Sequence, residues 1–168
     1  MKIQAYHGTD AVFSPEELNV KTHAYLTDSQ ELAASFGDNV LFLEVEAKNP
    51  YEIDWQGCSW GGGFFPADEV LFEEYLDFAS EGDAEEREYW EETGLCVDMF
   101  ASFLADKGYD LLILHDVLEE HGYSDTEYVA MEGCIVREAP EQFLDDVISN
   151  ASTKVQEGTC NYTKETCR

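Results

Sequence analysis

Three short segments of this 168-residue chain hold side chains that could act together on a ligand. His7-Gly8-Thr9 closes a run of strand type, KIQAYH, at whose end an imidazole can point into a cleft while glycine leaves the backbone open to a ligand. Tyr25-Leu26-Thr27 precedes a helix start, and Phe36 follows Tyr25 by eleven residues, so two aromatic rings frame one helix and could sandwich a flat ring. Glu127 stands at the threshold of Glu127-Tyr128-Val129-Ala130-Met131, where its carboxylate could line the same cleft. Taken one at a time they also fit a hydrogen-bonded structural histidine, two core aromatics and a solvated strand-edge glutamate. Only the combination points to chemistry.

Other chemistries find less support. Gly61-Gly62-Gly63 lacks the strand, helix and spacing of a dinucleotide or phosphate-binding fingerprint and reads as a flexible loop. His115, Asp116, Glu119, Glu120 and His121 match no standard ligand spacing, so no metal is expected. No cysteine has a neighbouring histidine to activate it.

The elements that must position these side chains follow from patterning. Residues 2–7 read as an opening strand, and residues 39–47, NVLFLEVEA, alternate apolar and acidic residues as a half-buried strand does. Between them, Thr27-Asp-Ser-Gln-Glu can cap a helix that runs through Ala33, Ala34 and Phe36 and stops at Gly37. From Glu69 to about Lys107 the spacing turns helical, with Val70, Phe72, Tyr75, Tyr89, Trp90, Leu95, Met99, Phe103 and Leu104 as candidate buried positions. Residues 110–115, DLLILH, form an apolar run of buried-strand type, and Tyr128–Met131 begins another strand after a polar loop. A last helix is expected from Ala139-Pro-Glu to Asn150, followed by a polar tail over 151–168. The expectation is one α+β domain over 1–150, with an acidic helical insertion at 55–107.

The charge is extreme: 9 Lys and Arg against 37 Asp and Glu leave a net charge of −28. Residues 68–98 concentrate it, with thirteen acids and the single base Arg87. Such a surface repels phosphates, so direct nucleic-acid binding is not expected, and a protein partner with a basic face is. Acidity that serves only solubility, or a salty environment, fits the composition equally well. The N-terminus has no apolar leader and no run long enough to span a membrane, so a cytoplasmic location is expected. Cys58, Cys96, Cys134, Cys160 and Cys167 form no C-x-x-C pair and read as reduced, with Cys160 and Cys167 able to pair in the tail.

In order and local wording, Tyr6-His7-Gly8-Thr9, Tyr25-Leu26-Thr27 with Phe36, and Glu127-Tyr128-Val129 resemble the ADP-ribosyltransferase superfamily, in its His-Tyr-Glu branch of diphtheria-type toxins and poly(ADP-ribose) polymerases. Gly108-Tyr109-Asp110-Leu111-Leu112-Ile113 before the Glu127 strand is similar to small phage-borne and polyvalent-protein transferases, among them an anti-CRISPR transferase of comparable layout and acidity. The resemblance covers residues 3–54 and 108–143. It implies a core of two packed, split β-sheets with flanking helices, and NAD as a substrate.

The resemblance further implies that His7 bonds a ribose hydroxyl, that the Gly8 backbone holds the nicotinamide carboxamide, and that Tyr25 and Phe36 stack on nicotinamide. Glu127 would bind the ribose 2′-hydroxyl and stabilise the positive sugar formed as nicotinamide leaves; His7, Tyr25 and Glu127 are thus the expected catalytic set. Polymerase relatives carry Ser three residues before the stacking aromatic, where this chain has Ala33. That departure implies a weaker NAD anchor or a replacement by Thr9 or Ser35. Transfer of single ADP-ribose units to a macromolecule, as in a phage-encoded inhibitor of host defence, is the expected activity. The rival reading is an acidic, non-catalytic protein that blocks a nucleic-acid-binding partner.

Overall fold

The computed structural model describes residues 1–12, 14, 18, 23–118 and 124–140. Its first compact unit is Met1–Glu138; the second, Ala139–Arg168, is described only at residues 139 and 140. The expected helix to Asn150, the tail, Cys160 and Cys167 therefore lie outside the described residues.

The described residues form an α+β unit: β1 (Lys2–Thr9), β2 (Ala24–Thr27), α1 (Gln30–Ser35), β3 (Asn39–Glu46), β4 (Pro50–Asp54), α2 (Glu69–Ser80), α3 (Ala84–Thr93), α4 (Val97–Asp106), β5 (Leu111–Leu118), β6 (Ser124–Ala130) and β7 (Ile135–Glu138). None of these helices is long and apolar enough to cross a membrane.

The strands share one hydrogen-bonded sheet in the order β4-β5-β6-β2-β1-β3-β7. This corrects the expectation of two separate sheets. The sheet is nonetheless nearly divided: β1 pairs with β3 from Lys2↔Glu46 to Thr9↔Asn39, but with β2 only at Tyr6↔Thr27. One rung keeps the two halves in a single ladder. Past it the strands part, and the His7 ring bridges the gap by hydrogen bonding to the Tyr25 carbonyl, 2.7 Å away.

Side chains of β5 alternate between two cores, as the period of two requires. Leu112 and Leu114 join Trp55, Tyr75, Leu76, Phe100 and Leu104, while Leu111 and Ile113 join Ala5, Leu26, Leu43 and Val45. A strand buried on both faces reads as a continuous apolar run, which is why DLLILH stands out in the sequence.

The acidic insertion supplies most of the first core. Trp55 stacks on Phe64 with ring centroids 4.6 Å apart, and Tyr75 and Phe103 pack edge to face. Asp68 caps α2 by accepting from the Val70 and Leu71 amides, and Asp83 caps α3 by accepting from those of Glu85 and Glu86. No residue of α3 is buried. Arg87 ties it to α2 by pairing with Glu73 and Asp77 across the helix boundary, and pairs with Glu91 one turn on. Val70 and Tyr89, expected inside, are exposed. The buried stripe of α2 runs through Tyr75, Leu76 and Ala79, which turns Val70 outward, and on α3 it is Trp90 that meets Tyr75.

Candidate functional site

A cavity of about 710 Å³ opens where the sheet nearly divides. His7 and Gly8 from β1, Tyr25 and Thr27 from β2, Phe36 from the end of α1, and Glu127 from β6 line it. Segments far apart in sequence thus meet at one surface.

Register explains the meeting. Thr27 on β2 stands opposite both Tyr6 on β1 and Glu127 on β6, so the three form one row across adjacent strands and share a face. The Asp28 amide donates to the Thr126 carbonyl at 3.1 Å, and the Thr126 amide donates to Asp28 Oδ1 at 3.2 Å. That exchange ties the entry of α1 to β6 beside Glu127. Burial pushes the Asp28 carboxyl up, partly offset by its hydrogen bonds from Thr126. Glu127 itself is only 2% exposed, although its neighbour row opens on the cavity.

The helix α1 is set close against β1. Ser29 caps it by accepting from the Leu32 amide at 3.1 Å. A Cβ on Gly8 would lie 1.6 Å from the Ala33 carbonyl oxygen, and one on Gly37 would lie 2.2 Å from the Thr9 backbone. The Gly8 position is therefore explained by contact with α1, in addition to any role toward a ligand. This close packing brings Phe36 to the cavity, where it is 58% exposed. Tyr25, on the adjoining wall, is 36% exposed. Large aromatics so open to solvent at a cavity mouth are available for stacking.

The His7 hydrogen bond also sets its tautomer. A carbonyl can only accept, so Nδ1 carries the hydrogen, and in the neutral ring Nε2 is an acceptor by nature, the complement of a hydroxyl donor. Thr9 is not among the cavity-lining residues, and its hydroxyl accepts from the Ala11 amide at 3.1 Å. Ser35 does line the cavity, with its hydroxyl donating to the Leu32 carbonyl at 2.7 Å. Ala33 is buried and lines the same cavity.

Further lining residues were not anticipated from sequence: Ser59, Trp60 and Gly61, from the segment assigned to the insertion, and Leu118 at the end of β5. The Trp60 ring lies 5.0 Å from that of Tyr25 at 62°. Asp98, in the first turn of α4, accepts a 2.7 Å hydrogen bond from the Tyr25 hydroxyl. Burial, then the bond and charge of Asp98, hold that phenol well above its ordinary pKa, so it remains a neutral donor. The glycine-rich loop is held rather than loose: the Gly63 amide donates to the Thr93 carbonyl at 2.8 Å, and the Val97 amide donates to that of Trp60 at 3.1 Å. Among the described residues, no group of three or more His, Cys, Asp or Glu could hold a metal ion.

A crystal structure of an anti-CRISPR protein is similar to this chain at 17% identity, over 83% of this chain and 96% of that one, with a TM-score of 0.48. No family model matches the chain, and no curated protein matches it.

Proposed function

We propose that the chain is an NAD-dependent mono-ADP-ribosyltransferase acting on a protein with a basic surface, in the setting of a phage-encoded inhibitor of host defence. The observation that carries this reading is the convergence of His7, Tyr25, Phe36 and Glu127 on one cavity. At about 710 Å³ it falls in the roughly 300–1,000 Å³ range of small-molecule sites. Its aromatic walls suit flat rings, and His7 Nε2 suits a ribose hydroxyl.

Glu127 would do the electrostatic work. As the bond from the ribose C1′ to the nicotinamide nitrogen breaks, its electron pair leaves with nicotinamide and the sugar becomes positive. A buried carboxylate facing that sugar stabilises the charge more strongly than water can. The acceptor then supplies the pair for the new bond at C1′. The net charge of −28 favours encounter with a basic target and disfavours phosphate backbones.

Incubating the full chain with labelled NAD and a host lysate, and following nicotinamide release and label on protein by mass spectrometry, tests the reading. Release and labelling that fall about 30-fold or more in Glu127→Gln are expected. No release from the wild-type chain would overturn it and leave the acidic, non-catalytic blocker as the better account.

A further inference from the structure

We propose that Trp60 and Asp98 bracket Tyr25 and fix its ring as a wall of the NAD cleft, so that the acidic insertion completes the substrate pocket and does more than face a target. This inference rests on the functional reading above and deepens it. A tyrosine at a cavity mouth and about one-third exposed, as Tyr25 is, would ordinarily keep rotamer freedom that a stacking ligand must remove. Here both ends of the side chain are engaged. Asp98 holds the hydroxyl at 2.7 Å, and the Trp60 ring meets the phenol ring at 5.0 Å.

The two brackets are themselves locked together. The Val97 amide, one residue before Asp98, donates to the Trp60 carbonyl at 3.1 Å, and Val97 is fully buried. On the other side the Trp55 indole donates to the Ser59 carbonyl at 3.0 Å, next to Trp60. Trp55 and Phe64 stack in the insertion core, and the Leu95 amide donates to the Phe64 carbonyl at 2.9 Å. The distance between Trp60 and Asp98 is thereby set by the insertion's own core. Any ring placed against Tyr25 meets a wall already ordered. Asp98 is a positioning residue on this view, because it acts through Tyr25, whereas Trp60 lines the cavity directly.

Calorimetric titration of the full-length chain with NAD, joined to nicotinamide-release kinetics, tests the bracket. Ordering one side chain costs about 0.5–1.5 kcal/mol, so Asp98→Ala should weaken NAD binding about 2- to 10-fold and raise KM by a similar factor with kcat nearly kept. Asp98→Asn, whose amide oxygen can still accept, should restore most of the affinity. In a Tyr25→Phe background, Asp98→Ala should have no further effect. Trp60→Ala should weaken NAD binding, and Trp60→Phe, which keeps a ring there and guards against loss of the fold, should recover part of it. Asp98→Ala that binds NAD like the wild type, or that loses as much affinity with Phe at position 25 as with Tyr, overturns the bracket while leaving the functional reading intact. A wild-type chain that binds no NAD overturns both.

Discussion

Glu127 on β6 stands directly across from Thr27 on β2, and Thr27 is the one residue through which β2 pairs with β1. The candidate carboxylate is thus placed at the narrowest point of the sheet. A wide, regular ladder there would close the cleft, because paired strands lie only about 5 Å apart. The single rung keeps β1 and β2 in one sheet while their parted ends leave room for the rings of His7 and Tyr25.

The first consequence concerns chemistry. Glu127→Gln keeps the shape of a side chain that is 2% exposed while removing its charge. Transfer should fall about 30- to 1,000-fold, the cost of losing about 2–4 kcal/mol of electrostatic stabilisation. The melting transition should stay close to that of the wild type. Transfer at the wild-type rate would place the reacting sugar elsewhere.

Gly8 makes a prediction about the scaffold. Its missing Cβ is what lets the Ala33 carbonyl approach, and both partners in that contact are backbone. Gly8→Ala must push α1 off β1, at a cost of about 1–3 kcal/mol as for other overpacked sites. Chemical denaturation should show the loss. Because Phe36 ends α1, the same variant should weaken NAD binding, whereas an unchanged denaturation midpoint would mean that α1 yields freely.

How far the sequence disclosed this arrangement depends on which residues are considered. β1, α1, β3 and β5 are legible because local signals agree with the fold: alternation in NVLFLEVEA, the Ser29 cap with Gly37 beyond, and a strand apolar on both faces. β2, β4 and β7 were not read as strands. With four or five residues each, they are too short for a period of two to show, and β4 begins at Pro50, as an edge strand can. His7, Tyr25, Phe36 and Glu127 were legible only as an ordered set of short motifs. Trp60 and Asp98 were not legible at all, since their relation to Tyr25 exists only in three dimensions, 73 residues apart for Asp98. Helical spacing in residues 55–107 marks Tyr75, Leu95, Phe103 and Leu104 as buried, but it does not show that they build a core shared with β5 and β6.

Cys134 predicts a pH dependence of stability. Its thiol donates to the Asp110 carbonyl at 2.9 Å, and burial, followed by the Asp110 charge, pushes its pKa up to about 12. An unfolded thiol titrates near about 8.5. The folded state therefore holds a proton that the unfolded state releases, and this contribution is complete below the unfolded pKa and is lost as pH rises from about 9 through about 12. Denaturation midpoints should fall over that window more steeply in the wild type than in Cys134→Ala. Thiol reagents at pH 8 should spare Cys134 in the folded chain and modify the partly exposed Cys58 and Cys96 first. Equal slopes in the two proteins would show that the thiol titrates normally.

The last prediction separates target encounter from the NAD cleft. Not every acid on α3 can be reversed for this purpose: Asp83 caps the helix, and Glu91 pairs with Arg87. Glu85 and Glu86 lie in the first turn, where negative charge favours the helix. Glu88 and Glu92 are exposed, lie one turn apart and repel each other, so Glu88→Lys with Glu92→Lys changes the net charge from −28 by four units, to −24, without removing a cap or the Arg87 pairs with Glu73, Asp77 and Glu91. Association with a basic protein should slow and lose part of its salt dependence, because steering acts on the encounter rate. NAD hydrolysis in water should be unaffected, since α3 contributes no residue to the cavity. The two rates measured side by side decide the matter. If both fell while the melting transition held, α3 would be coupled to the cleft through α2 and the Tyr75 core, and the acidic face could no longer be assigned to target encounter alone.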